Sequence, residues 1–308
     1  MRRLVLALAL LAAAPAQAWP ERPVRLVVSA APGGSNDTVA RVMAEALSSL
    51  LPQPVIVENR AGAQGILGAE AVLRAPPDGH TMLFSNTGQA GLRVMAPNAA
   101  VDVVSALTPV SVVAESPMVM LVANNLAPRN LPELLAMARA EPGRFDYATS
   151  SGAGTLQLAA LLFIRTTGLQ LNAVPYRGGG PAQMDLIAGR IGIVFDVAIT
   201  ALATAQAGQA RAFAVTGAQR SPHAPSVPTW REAGVDAEMT VWQAAWVAST
   251  TPPALRQEIH AAYGRALALP RVQRRMAELG ADRVLALNLA ETEAYVAAEV
   301  TRWEALLR

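Results

Sequence analysis

The sequence contains no cysteine and no lysine, only three histidines, and few aromatic residues for its 308 positions. Without cysteine there is no disulfide, no thiolate metal site and no cysteine-linked lipid anchor. Without lysine there is no G-x-x-x-x-G-K-[ST] phosphate loop, and every cationic residue is an arginine. His80 lies in a Pro-Asp-Gly turn, His223 in a proline-rich loop and His260 in a late helix, so no pair has metal-ligand spacing. Gly62, Gly65 and Gly68 are spaced G-x-x-G-x-x-G, which is not the dinucleotide fingerprint, and no G-x-S-x-G elbow occurs. These absences argue against nucleotide, metal and serine-hydrolase chemistry. The expectation is a protein with no cofactor, no metal and no catalytic residue.

What is present begins at the N-terminus. Arg2 and Arg3 precede an unbroken apolar run from Leu4 to Ala14, followed by Pro15 and Ala16-Gln17-Ala18. This is the pattern of a secretory signal peptide over residues 1–18, with cleavage expected after Ala18. The run is too short to span a bilayer, and charged, Gly or Pro residues interrupt every later apolar stretch. Removing 18 of the 308 residues leaves 290, enough for two ordinary domains. Loss of Arg2 and Arg3 brings the formal charge of +2 to zero, which argues against nucleic acid as a partner.

Short apolar runs alternate with helix-period segments, the signature of an α/β fold with a largely parallel sheet. Strands are expected at Val24–Ser29, Pro54–Glu58 and Thr81–Ser85, with helices at Thr38–Leu51 and Ile66–Arg74 between them. Asn130 caps an expected helix from Leu131 to Ala140, and another runs from Thr155 to Thr167. Strands follow at Asn172–Val174, Ile191–Phe195 and Arg211–Thr216. Asn288 and Glu291 have capping-box spacing for a last helix to Leu307. Two long apolar stretches, near residues 115–123 and 243–250, bracket the middle of the chain. They predict two α/β lobes joined by two crossover strands, lobe 1 from 19–122 and 248–308 and lobe 2 from 123–247. A cleft between such lobes is a standard place for a small ligand.

Three loops share one design: Pro32-Gly33-Gly34-Ser35-Asn36-Asp37, Ser85-Asn86-Thr87-Gly88 and Ser150-Ser151-Gly152-Ala153-Gly154-Thr155. Each follows a strand, is rich in Gly, Ser, Thr or Asn, and leads to a helix start. Open α/β sheets bind ligands at the carboxyl ends of their strands, where helix N-termini offer unpaired N–H groups. Any one such loop is equally an ordinary turn with capping residues. Three of a kind in two lobes point to a cleft for a carboxylate or other small oxyanion. Asp37 reads as a first-turn acid, and Asp196 either accepts from a ligand or caps the next helix. Tyr176 offers apolar cover.

Several ordered segments resemble the Bug family, the periplasmic solute receptors of tripartite tricarboxylate transporters. They include Trp19-Pro20, Pro23–Val28 leading into Ala31–Asp37, Val57–Ala63, Ala75–Gly79 and Thr108-Pro109-Val110. Further along are Ser150–Thr155, Val174–Gly178, Phe195-Asp196, Ala214–Gly217 and Val227-Pro228-Thr229. The resemblance implies a type II periplasmic-binding-protein fold that closes on a small organic carboxylate and delivers it to transporter membrane subunits. It maps the ligand site to Pro32, Gly33, Gly34, Ser35, Asn36, Asp37, Ser85, Asn86 and Thr87 in one lobe. In the other it maps to Ser150, Ser151, Gly152, Thr155, Gln157, Tyr176, Gly178 and Asp196. Two departures from the family pattern, Gln157 and the Ser85–Thr87 loop, fall at or near the ligand and leave the acid itself open. Sensing through a membrane signalling partner, or an exported hydrolase or lyase on the same lobes, are the alternative expectations. A monomer is the simplest state for a receptor that closes.

Overall fold

The computed structural model describes residues 19–96, 99, 101–150 and 154–307. The expected signal peptide, 1–18, lies outside the described residues. Among those described there are ten strands: β1 (Val24–Val28), β2 (Val55–Asn59), β3 (Thr81–Asn86), β4 (Leu107–Val122), β5 (Asp146–Ser150), β6 (Asn172–Tyr176), β7 (Ile193–Val197), β8 (Arg211–Val215), β9 (Thr240–Ala248) and β10 (Arg283–Val284). They follow the order β2-β1-β3-β9-β4-β7-β5-β6, with β8 and β10 also pairing to β4. No helix among the described residues is long and apolar enough to cross a membrane.

β4 organises the molecule. Its sixteen residues are buried almost throughout, which is why they read as one apolar run. From Leu107 to Pro117 it pairs antiparallel with β9, and from Met118 to Val122 it pairs antiparallel with β7. The change of partner falls at Pro117, a residue with no N–H to give to a ladder. There the Thr216 hydroxyl accepts the Met118 N–H at 2.8 Å and donates to the Met239 carbonyl at 2.7 Å. One buried side chain thus ties together β4, the end of β8 and the approach to β9.

The second crossing lies earlier than the apolar pattern suggests. β9 pairs along its length with β3 and the first part of β4, so it belongs to the first sheet. We therefore divide the molecule at Pro117/Met118 and within the return segment 216–239, rather than at 122/123 and 247/248. A strand buried on both faces carries no mark of the lobe it joins. Only its pairing partner reveals that.

Strand directions set the functional geometry. β1 and β2 run parallel to β3, and β3 runs antiparallel to β9, so all three run in the direction of β4. β7 runs antiparallel to β4, and β5 and β6 follow β7. The carboxyl ends of β1 and β3 therefore point towards the second sheet, and those of β5, β6 and β7 point back. Asn86 of β3 is level with Gln243 and, through it, with Ala114, whereas Val197 of β7 is level with Met118. Four residue steps of β4 separate the two rows, about 13 Å at a strand rise of about 3.3 Å.

Helices pack on both sheets. Asn130 caps Leu131–Ala140 by accepting the Glu133 N–H at 2.9 Å. Asn288 and Glu291 form a reciprocal capping box for Leu289–Leu307, at 2.8 and 2.9 Å. Phe163, Phe195 and Trp230 pack with ring centroids 5.3–5.8 Å apart, joining the Thr155–Thr167 helix, β7 and the return segment.

Candidate ligand-binding cleft

Helices that start at the facing strand ends differ from those just described. Ser35–Ser48 begins at Gly34, Thr155–Thr167 at Gly154 and Gly179–Ile187 at Gly178, and none has a side-chain cap. The first N–H groups of each have no intrahelical partner, and the positive end of each helix dipole lies there. The loops that carry them contain only one cation, Arg177, and it is exposed. Charge for an anion would come from main-chain dipoles and hydroxyls.

In the first lobe, Pro32 and Gly33 are exposed and Ser35, Asn36 and Asp37 are buried. Gly33 adopts φ +84°, a left-handed turn that favours glycine. Asp37 fixes this turn. Its carboxylate accepts the Gly33 N–H at 3.0 Å, Arg41 Nε at 3.0 Å and Asn59 Nδ2 at 2.9 Å. Asn59 also donates to the Ala30 carbonyl at 3.1 Å, bracing the loop from β2. The Asp37 carboxyl, like the Gly33 N–H, is thus engaged within the chain, and both position the loop. Asn36 donates to the Phe84 carbonyl at 3.2 Å, while its Oδ1 is buried and makes no hydrogen bond among the described residues.

Burial would push the Asp37 carboxyl up, but the donors Arg41, Gly33 and Asn59 outweigh it and hold the carboxyl below its ordinary 3.8. A depressed carboxyl stabilises the fold above its unfolded pKa, and that contribution disappears as pH falls through the lower folded value. Asp37→Asn is therefore expected to cost about 1–3 kcal/mol at pH 7. The difference from the parent should shrink below about pH 4. Urea unfolding across pH 3–7 measures both, and a constant difference would show that the charge is immaterial.

The β3 end contributes Ser85, Asn86 and Thr87. Ser85 Oγ is buried without a partner. Asn86 Oδ1 accepts the Gly88 N–H at 3.0 Å and starts the short turn Thr87–Gly91. The Thr87 hydroxyl accepts the Trp242 N–H at 2.8 Å, so its oxygen anchors β9.

In the second lobe β5 ends at Ser150; Ser151 and Gly152 fall outside the described residues. Thr155 is buried at the first turn of its helix, and Gln157 Oε1 is buried with no partner among the described residues. Tyr176 donates to Asp185 at 2.8 Å, and this hydrogen bond adds to burial in raising the phenol to about 12. Gly178 adopts φ +132°. Gly179 is the glycine that space demands, because a Cβ there would lie 2.9 Å from an Asp196 oxygen. Asp196 accepts the Val197 N–H and the Thr200 hydroxyl, each at 2.8 Å, and is bonded by Gln183. The Ala198–Gln206 helix has no side-chain cap, so Asp196 braces the approach to that helix through Val197, Thr200 and Gln183 rather than capping it.

The two lobes approach each other across the gap. The Thr155–Thr167 helix comes close to the Thr87–Gly91 turn, and Arg165 donates to the Leu306 carbonyl. Buried polar side chains on the crossing strands, Ser116 and Gln243, make no side-chain hydrogen bond. Neither these two nor Asn59 stands in a glycine-rich loop, and no local signal singles them out. Their importance depends on strand pairing across the chain.

Comparison with known proteins places this geometry. The model of the tripartite tricarboxylate transporter family receptor matches residues 39–308. Protein BugT of Bordetella pertussis is 34% identical over 297 residues, covering 95% of this chain and 90% of that protein. The solved periplasmic binding protein BugD is 30% identical, with a TM-score of 0.88 over 94% of this chain and 97% of that one. MatC from Rhodopseudomonas palustris, solved with bound malate, is 30% identical with a TM-score of 0.88, covering 94% of this chain and 100% of that one. The two-lobed α/β periplasmic-binding-protein fold expected from the sequence is the fold these structures share with this chain.

Proposed function

The chain belongs to the tripartite tricarboxylate transporter receptor family, and on that premise we propose that it captures a small organic carboxylate between its lobes and delivers it to a tripartite tricarboxylate-type transporter. One observation carries this reading. Strand ends and glycine-started, uncapped helices of two sheets face each other across the point where β4 changes partner. MatC, of the same fold, is solved with malate, a dicarboxylate.

The ligand carboxylate is held by main-chain N–H groups of Gly34, Ser35 and Asn36, by Ser85 and Asn86, and across the cleft by the Ser150–Gly152 loop, Thr155 and Gln157. Tyr176 and Gly178 close one side. Asp37, Thr87 and Asp196 position these loops rather than touch the ligand. Hydrogen bonds to a charged acceptor contribute about 1.5–3 kcal/mol each. Those made by both lobes exist only when the lobes are together, so the ligand favours the closed arrangement. No bond is made or broken in the ligand. The protein acts outside the cytoplasmic membrane, after cleavage behind Ala18. The buried Trp19, packed against Gly79, supports a mature domain that starts there.

A thermal-shift screen of mono-, di- and tricarboxylates, amino acids and aromatic acids tests the reading. At least one carboxylate is expected to raise the melting temperature in step with about 2.7 kcal/mol at a hundredfold excess over Kd. Its methyl ester should not. Stabilisation by neutral or cationic solutes alone would overturn the proposal, and so would turnover of the bound acid.

A further inference from the structure

A second connection between the lobes lies outside the cleft. Gly280, Ala281 and Asp282 follow the Pro270–Glu278 helix and lead into β10, which pairs with Glu115 and Ala114 of β4. The Asp282 N–H donates to the Glu115 carbonyl at 3.1 Å, so the segment is fixed to the first lobe. Its other side meets the second. Ser221 Oγ donates to Asp282 Oδ1 at 2.7 Å, and His223 Nε2 lies 3.2 Å from the Ala281 carbonyl. Ser221 also accepts the His223 N–H at 3.3 Å. These two residues follow β8, and Ala224 just beyond them packs in the second-lobe core with Ala198 and Leu202.

Gly280 completes the contact. It adopts φ +84°, and a Cβ there would lie 3.4 Å from the Ala198 carbonyl oxygen and 3.3 Å from Leu202. The strap therefore sits against the first turn of the Ala198–Gln206 helix, two residues beyond Asp196. Ser221 and Ala281 are buried, so water competes little for these bonds.

We propose that the Gly280–Asp282 strap latches the two lobes in the arrangement seen here, that this arrangement is the ligand-binding one, and that Ser221 and Asp282 are positioning residues that set ligand affinity without touching the ligand. The strap's bonds run between lobes, whereas the Thr216 bonds lie within the crossing itself. Rotation about the crossing keeps the second set and separates the first. Bonds made only in the arrangement seen here raise its population. Apparent affinity scales with the fraction of molecules in the binding-competent arrangement. The affinity half of this inference rests on the receptor reading above.

The cysteine-free chain makes the test direct. Cysteines introduced at two exposed sites, Ile56 in the first lobe and Met184 in the second, carry spin labels for inter-lobe distance measurement. Without any ligand, Ser221→Ala and Asp282→Ala are each expected to shift the distance distribution away from the parent's. Asp282→Asn, which keeps the acceptor oxygen, should restore the parent's distribution. With L-malate as the probe, the two alanine variants should bind about 5- to 50-fold more weakly and the asparagine variant as the parent does. Unchanged ligand-free distributions in both alanine variants overturn the latch. If malate and every other carboxylate fail to bind the parent, the receptor reading fails, and the ligand-free distances still decide the strap.

Discussion

Asp196→Ala is expected to destabilise the protein by about 2–4 kcal/mol, whereas Asp196→Asn should leave its stability at pH 7 nearly unchanged. Asp196 is buried, and among the described residues no cation is bonded to it. Its oxygens gather the Val197 N–H, the Thr200 hydroxyl and the Gln183 amide, and Gln183 in turn accepts from Thr204 at 2.9 Å. Alanine leaves these groups buried and unpaired. Asparagine keeps an acceptor for Val197, and a turn of the Gln183 amide satisfies the rest.

The pH dependence carries a second signature. Burial pushes the Asp196 carboxyl above its ordinary 3.8, against the opposing pull of its donors Thr200, Val197 and Gln183. The folded state then takes up its proton more readily than the unfolded chain, so stability rises as pH falls between the folded and the unfolded pKa. The asparagine variant has no such rise. Urea unfolding of the three proteins between pH 4 and 8 reads both effects. Equal losses in the alanine and asparagine variants would show that Asp196 acts through its charge or its second acceptor oxygen, both of which asparagine lacks, and would contradict this expectation. Since Gly179 lies against this carboxylate, the same network fixes the start of a helix at the cleft.

Gly34→Val is expected to weaken carboxylate binding by more than about a hundredfold with little change in melting temperature. Gly34 has φ −79° and ψ 169°, a conformation valine adopts freely. A Cβ there would meet only the Ala31 carbonyl oxygen, at 3.8 Å. Among the described residues nothing therefore requires glycine at this position. In the receptor reading the requirement comes from a ligand that approaches the backbone where Ser35–Ser48 begins. Calorimetric titration beside a thermal melt measures both halves. Parental affinity in a folded variant would remove this loop from the site.

Much of the fold is legible in the sequence wherever the signal is local. Asn130 followed by Glu133, Asn288 followed by Glu291, and the span Thr155–Thr167 all appear where the residues put them. The helix expected from Thr38 begins three residues sooner, at Ser35, because a polar first turn following two glycines looks like a loop. β10 was not expected at all, since a two-residue strand is made by its partner β4. The positions of the candidate loops are legible for the same local reason: each is a strand, a glycine-rich turn and a helix start. The roles of their side chains are not. Asp37 is held by Asn59, 22 residues away, and Thr87 by Trp242, 155 residues away. Pairings over such distances follow from how the sheets assemble, which no short pattern encodes.

The most direct measurement is a crystal structure of the protein saturated with whichever carboxylate gives the largest thermal shift. The expected density places the acid between the two sheets, with one carboxylate within hydrogen-bonding distance of the Gly34–Asn36 N–H groups. The same molecule should be reached from the other lobe by Thr155 or the loop before it. An acid held by arginine side chains on the surface of a single lobe, with the cleft filled only by water, would contradict the account.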